Sequence, residues 1–390
     1  MERSSTNNCE KIRNGGLGND SSVKQHPQSM SENAQDQNWT YGNYLQLQTL
    51  LNLQGEERDV SNDEMHFIIV HQTFELWFKQ VIKELCALRD ILCKETVPEE
   101  DIPHAVNHLG RTSEIFRLME SQWNVLETLT PQGFLAFRDG LGTASGFESF
   151  QTREFEILLG LKNEDRLWGM DPIETFRKLA PNSDWDASIL AKLEDAQAKP
   201  SLFDALMGWL VRTPIMGSSY GSEGDEMAIE GYVNAHLSAH QAICENAASK
   251  MIGYGGGGDP DKVAARFAST HQAAIEFLKP DGIPNRARAG LLFIESYREL
   301  PLLAWPRKLI DAIVELEESI VKWRHSHARM VERIMGRRIG TGGSSGVDYL
   351  DETSKYRIFK DLWAVRTILI KPQSRPTLIN AEFYGYSYEN

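Results

Sequence analysis

Cysteine is scarce in this chain: Cys9, Cys86, Cys93 and Cys244 are the only four among 390 residues, and no two of them form a C-x-x-C pair. That argues against a disulfide framework, a zinc ribbon, thioredoxin-like chemistry and covalent c-type haem attachment. No stretch approaches the roughly 18 consecutive apolar residues of a membrane-spanning helix. The opening Met1-Glu2-Arg3-Ser4-Ser5 has no apolar signal core, so the expected location is the cytoplasm, with no membrane partner. Positive charge is also short. Lys and Arg number 41 against 55 Asp and Glu, a formal net charge of −14, which is the wrong sign for releasing counterions from a phosphate backbone. No nucleic-acid partner is expected, and a small uncharged or zwitterionic ligand suits the balance better.

Convincing alternation of apolar and polar residues is missing too, so no strand is predicted, and no internal repeat is found. What is present is helical periodicity in an ordinary globular composition, 41% hydrophobic and 25% charged. Residues 1 to about 38 are rich in Asn, Ser, Gln and Gly and poor in aromatics, so they are expected to form a disordered tail. From Trp39 the pattern turns helical, giving an all-α fold over 39–390 with a smaller, variable helical insertion at about 160–300.

Ser61 with Glu64 has the spacing of a capping box and announces a long helix to about Leu92. A second is predicted from about Ile102 to Leu129, and a third from about Arg307 to Met335, stopped by Gly336. A last helix is expected from about Thr353 to Leu369. Glycine-rich segments fall at 140–146, 253–258 and 340–346.

On the first helix Phe67, His71, Phe74 and Phe78 recur at spacings that place all four on one stripe. His71 is there either as a buried, satisfied histidine or as a neutral imidazole that accepts a hydrogen bond from a ligand N–H. On the third helix Ile313, Ile320, His327 and Ile334 recur every seven residues, with Leu309, Leu316, Trp323 and Met330 on the complementary seam. An imidazole in such a core needs partners for its ring nitrogens, and iron ligation on one side is one way to satisfy it; a structural histidine is the other. Two helices that each offer a buried histidine invite comparison with haem pockets.

Arg324 is expected to be solvated, with a haem propionate as the alternative partner. Arg138 ends the amphipathic run Phe134-Leu135-Ala136-Phe137-Arg138 and suits bidentate capture of a carboxylate, or is an ordinary surface arginine. The loop from Gly340 to Gly346 lacks the Gly-Lys-Ser/Thr ending of a nucleotide cradle and follows a helix, so it reads as an anion-binding nest or a mobile linker.

In this order the pieces resemble the tryptophan 2,3-dioxygenase family: Tyr41-Gly42-Asn43-Tyr44-Leu45, then Asp63-Glu64 leading to Phe67-Ile68-Ile69-Val70-His71-Gln72, then Glu75-Leu76-Trp77-Phe78-Lys79. Further on come Phe134 to Arg138, Ala144-Ser145-Gly146-Phe147, Lys322-Trp323-Arg324 with His327, Met330-Val331, and Gly340 to Gly346. The resemblance spans about 39 to 370 and fades between about 160 and 300.

It implies a helical haem domain assembled as a homotetramer. His327 would be the proximal ligand of one b-type haem per subunit, with Trp323 beside it and Ser145 near the distal side. Phe67 and His71 would line the indole pocket, His71 accepting the indole N–H. Arg138 would clamp the substrate carboxylate, supported by Phe134, and Thr341 would meet the amino-acid end. Tyr41 and Tyr44 would be donated across a subunit interface. The implied reaction uses O2 to cleave the C2–C3 bond of L-tryptophan or a close analogue, giving N-formylkynurenine. The alternatives are a monooxygenase that forms an oxindole from a substituted tryptophan, and a non-catalytic haem sensor or carrier. Departures from the family's pattern are His66 at a usually apolar place, beside the pocket or on the outer helix face, and Glu148 where glutamine is frequent.

Overall fold

Local capping signals divide this chain into helices before any packing is considered. The computed structural model describes residues 39–142, 146–255, 258–338 and 346–385. After two single-turn helices, α1 (Tyr41–Tyr44) and α2 (Leu47–Leu50), comes α3 (Asn62–Leu92), the first long helix. Its start is the predicted one: Ser61 is extended and its Oγ accepts the Glu64 backbone N–H. The second long helix, α4 (Asp101–Leu126), ends a little earlier than predicted. In α5 (Pro131–Arg138) the proline occupies the first turn, where its missing N–H costs nothing, and Thr130 caps the Gly133 N–H.

The middle of the chain forms α6 (Phe150–Leu159), α7 (Pro172–Leu179), α8 (Asp184–Ala198), α9 (Leu202–Val211), α10 (Asp225–Gly253), α11 (Pro260–Leu278) and α12 (Arg286–Ser296). It closes with α13 (Ala304–Met335), α14 (Gly346–Thr353) and α15 (Lys360–Thr367). Among the described residues there is no strand, only an isolated bridge between Ile215 and Ser218. The expected all-α class therefore holds.

Packing centres on three long helices, with α4 lying against both α3 and α13. On the α13 seam Leu309, Ile313, Leu316, Ile320, Trp323, Met330 and Ile334 are all buried, as the heptad spacing predicts. Each such side chain contributes about 1.5–3 kcal/mol through burial. His327 breaks the series, since it is only half-buried. The stretch 160–300, where an insertion is expected from the sequence, packs in two ways. Helices α7 and α8 close over a small core of their own, made of Ile173, Phe176, Ile189 and Leu193. Residues of α9 to α12, among them Leu206, Val233, Leu278 and Phe293, belong to the main core.

Two expectations are corrected. The last predicted helix does not begin at Thr353, which ends α14. Buried Glu317 of α13 accepts the backbone N–H groups of Ile358 and Phe359, at 2.6 and 3.0 Å, and its other carboxylate oxygen takes the Trp363 indole N–H. This carboxylate serves the amides that lead into α15, so the chain restarts its helix at Lys360. Arg324 is not solvated. It is buried against Glu156 (2.8 Å) and the Thr353 carbonyl (3.1 Å), and its guanidinium lies over the Tyr356 ring. Glu156 also binds Arg153 and Arg166, so one carboxylate gathers three guanidiniums and ties α6 to α13. Burial alone would raise this carboxyl, but the charges of Arg153, Arg324 and Arg166 outweigh it and hold Glu156 at about 2.

Candidate active site

The stripe predicted on α3 exists, and packing divides it. Phe74 and Phe78 are buried, with Phe74 against Trp123 of α4 (ring centroids 4.2 Å apart) and Phe78 against Phe155 and Trp323. Phe67 and His71, nearer the start of the helix, remain half-buried, with their rings 4.0 Å apart. Helix α5 closes on this end: Phe134 and Phe137 approach the Phe67 ring at 5.9 and 5.5 Å. Three phenylalanines and one imidazole thus form an aromatic wall on two helices.

The protonation of His71 follows from the one hydrogen bond it makes among the described residues. Nδ1 lies 2.8 Å from the Phe67 carbonyl oxygen. A carbonyl only accepts, so Nδ1 carries the proton and Nε2 presents a lone pair. Desolvation pulls the His71 pKa below its ordinary value, against smaller opposing effects of the Phe67 carbonyl and Glu75. At neutral pH the side chain is an uncharged hydrogen-bond acceptor.

His327 comes from α13, and Trp123 lies flat against it, with centroids 4.4 Å apart and planes within 5°. The Trp123 indole N–H points to the Trp323 carbonyl oxygen at 3.3 Å, which fixes the stack, and the Trp323 ring sits 6.0 Å from the imidazole. The His327 ring keeps some exposed surface, yet protein surrounds it closely enough that desolvation, followed by the charge of His71, lowers its pKa to about 3. It takes no hydrogen bond from the described residues. A neutral imidazole whose lone pair has no hydrogen-bond partner among the described residues is the donor that haem iron requires, so the residues present fit that group.

Arg138 ends α5 one turn beyond Phe134, half-buried and already engaged with other groups. Tyr41 and Tyr44 stand apart from the aromatic wall, 76% and 64% exposed, and Trp39 meets the Tyr44 ring edge-on at 5.9 Å. Gln72, next to His71, ties the segment after them to α3: its amide donates to the Leu53 carbonyl (2.8 Å) and accepts from Gln54 (2.9 Å). Ser145 and Thr341 lie outside the described residues, as does most of the 340–346 loop. His66 is bonded through Nε2 to the Val125 carbonyl at 3.1 Å, which bridges α3 to the end of α4. Trp123 was not singled out from the sequence, because nothing local to α4 marks one aromatic of its buried face as the neighbour of a histidine on α13. A separate cavity of about 610 Å³, lined in part by Met216, Tyr232 and Ile379, includes none of these residues.

The family model described as tryptophan 2,3-dioxygenase matches residues 24–369, beginning ahead of Trp39. Tryptophan 2,3-dioxygenase 2 of Ralstonia nicotianae is 39% identical over 367 residues, covering 90% of this chain and 98% of the relative. Tryptophan 2,3-dioxygenase of Sorangium cellulosum is also 39% identical, over 90% of this chain and 88% of the relative. The Anopheles gambiae tryptophan 2,3-dioxygenase is 34% identical over 87% and 88%. With nearly the whole chain matched at this identity, the protein belongs to the tryptophan 2,3-dioxygenase family.

Proposed function

We propose that this chain is a haem-dependent dioxygenase that adds both atoms of O2 across the indole C2–C3 bond of L-tryptophan, opening the pyrrole ring to N-formylkynurenine. The balance is simple addition: one O2 enters, one carbon–carbon bond breaks, and two carbonyl groups form without a leaving group. The observation that carries the reading is the pairing of two neutral imidazoles with unlike duties. His327 has a lone pair with no hydrogen-bond partner among the described residues, and His71 is locked as an acceptor beside an aromatic wall.

His327 would hold one b-type haem per subunit, with Trp123 and Trp323 fixing the plane of its ring. When bound, the haem supplies the reduced iron at which dioxygen is activated. The protein's own tasks are binding, orientation and exclusion of water. Phe67, Phe134 and Phe137 offer flat apolar surfaces for an indole. His71 Nε2 accepts the indole N–H, which aligns the ring. Because its pKa is depressed, His71 is a poor proton sink, and its role is positioning the N–H rather than removing the proton.

Arg138 clamps the substrate carboxylate, leaving its present contacts to do so. Thr341 meets the amino-acid end, and Ser145 lies near the distal side of the haem. Tyr41 and Tyr44, exposed in the single chain, pack across a subunit interface of a homotetramer, where their apolar surface is removed from water. No described helix is long and apolar enough to cross a membrane, in keeping with a cytoplasmic enzyme.

The test is turnover of L-tryptophan by the reduced haem-loaded protein under 18O2. A product that carries two labelled oxygens is expected. A product with one, or no consumption of tryptophan by haem-bound protein, overturns the assignment.

A further inference from the structure

On the outer side of α3 and α4, apolar residues recur as they do on a seam that has a partner. Ile69 and Leu76 of α3 stand seven residues apart, and so do Leu118 and Val125 of α4. In the single chain they are 44%, 51%, 48% and 50% exposed, respectively. Seven-residue spacing on α13 marks a buried seam, whereas here the same spacing meets water. The two helices run antiparallel, because His66 bonds to the Val125 carbonyl, Gln122 donates to Thr73 Oγ1, and Glu84 accepts from Arg111. Ile69 is therefore level with Val125, and Leu76 with Leu118. A groove of about 700 Å³ opens at the second level, lined in part by Leu76, Trp77, Ile115 and Leu118. None of these residues has a part in the reaction proposed above.

We propose that this face is where a second copy of the chain docks, through a two-fold axis that packs α3 and α4 against their own counterparts. A two-fold contact needs a surface complementary to itself. Paired aliphatic levels on two antiparallel helices meet that need, since the ridges of one copy find grooves of the same spacing in the other. The charges at the groove meet it as well. Arg111 and Glu114 both line it, one helical turn apart and largely exposed, so Arg111 of each copy can reach the partner's Glu114. A polyanion or an anionic lipid surface would leave Glu114 against like charge. The area also suffices. The 26 residues of α4 span about 39 Å, and two helices packed about 8–10 Å apart present a face about 20 Å wide. That is up to about 800 Å² per copy, the amount a stable interface buries.

This contact deepens the assembly proposed above and rests on it in one respect. A closed tetramer of two-fold symmetry needs two different contacts, and Tyr41 with Tyr44 account for one; the α3–α4 face supplies the other. Covering the face costs little in polar groups. Between the two aliphatic levels the Thr73 hydroxyl donates to the Val70 carbonyl at 2.7 Å and accepts from Gln122, so it is satisfied before a partner arrives.

Haem-loaded protein, unmutated and as the variant Leu76→Glu with Leu118→Glu, is compared by sedimentation velocity. The unmutated protein is expected to be a tetramer and the variant a dimer with the parent's haem spectrum, this contact being weakened at least about 100-fold by like charges brought together across the axis. Both side chains are half-exposed, so the added charges leave the core of the single chain alone. If the variant aggregates, Leu118→Ala takes its place and should weaken the same contact about 10-fold. A variant as fully assembled as the parent overturns the proposal and leaves the Tyr41–Tyr44 contact standing. An unmutated dimer that the variant splits into monomers upholds the face and removes the tetramer; an unmutated monomer overturns both.

Discussion

Replacing Glu156 by glutamine tests how the proximal helix is held. The wild-type carboxylate is buried and faces Arg153, Arg166 and Arg324, the last of these on α13 one turn before His327. Its pKa of about 2, against 4.5 for the free side chain, corresponds to about 3 kcal/mol of stability at pH 7. A glutamine keeps the shape but removes the charge and leaves three guanidiniums crowded without an anion, so the expected loss is about 3–5 kcal/mol.

The sign with pH is fixed by the direction of the shift. A carboxylate depressed in the folded state stabilises fully above about 4.5, and this contribution fades as pH falls toward 2. The stability gap between wild type and Glu156→Gln should therefore be widest near neutrality and narrower by about 1 kcal/mol near pH 3.5. Urea unfolding of both haem-loaded proteins across this range measures the gap, and the difference cancels the other acidic groups common to both. Haem retention should weaken in parallel, because the cluster sets the register of α13 against α6. A variant within about 1 kcal/mol of wild type at pH 7, or a gap that does not change with pH, would refute the reasoning.

Other substitutions address the site directly. His327→Ala should purify without a stable Soret band while keeping its helical circular dichroism; retained haem would exclude this imidazole as the ligand. His71→Phe should lower kcat/KM for L-tryptophan by roughly 5- to 150-fold, the cost of about 1–3 kcal/mol for an unmade buried hydrogen bond, and should cease to discriminate against N1-methyltryptophan. In the unmodified enzyme, tryptophan binding should be flat around neutrality and fall only at acidic pH, as His71 is protonated through its lowered pKa and can no longer accept. Loss of binding above pH 7 would contradict that. Arg138→Ala should weaken tryptophan binding by about 1.5–3 kcal/mol and leave an analogue without the carboxylate unaffected; an equal loss for both compounds would remove Arg138 as the clamp.

Helix boundaries and the aromatic stripe were readable because their signals are local. The Ser61 cap, Pro131 in a first turn and Gly336 after α13 act within three or four residues. The heptads of α13 likewise mark a buried face without reference to its partner. Arg324 was misread for the opposite reason. Its neighbours Lys322 and His325 are exposed, whereas its carboxylate partner Glu156 lies 168 residues away. The break between α14 and α15 depends in the same way on Glu317 arriving from another helix.

From the order of residues alone came the all-helical class, the two histidines on apolar faces and the family to which they point. Only the folded chain decided that Trp123 lies flat on His327, that the Phe67 carbonyl fixes the proton on His71 Nδ1, and that α5 brings Phe134 and Phe137 to the same wall. Periodicity specifies which side of a helix is apolar, but not which helix meets it, because side chains of similar volume pack acceptably in more than one arrangement. Protonation state belongs to that second class of facts, since it is set by the burial and the hydrogen-bond partner of a ring nitrogen, and both exist only after the helices have met.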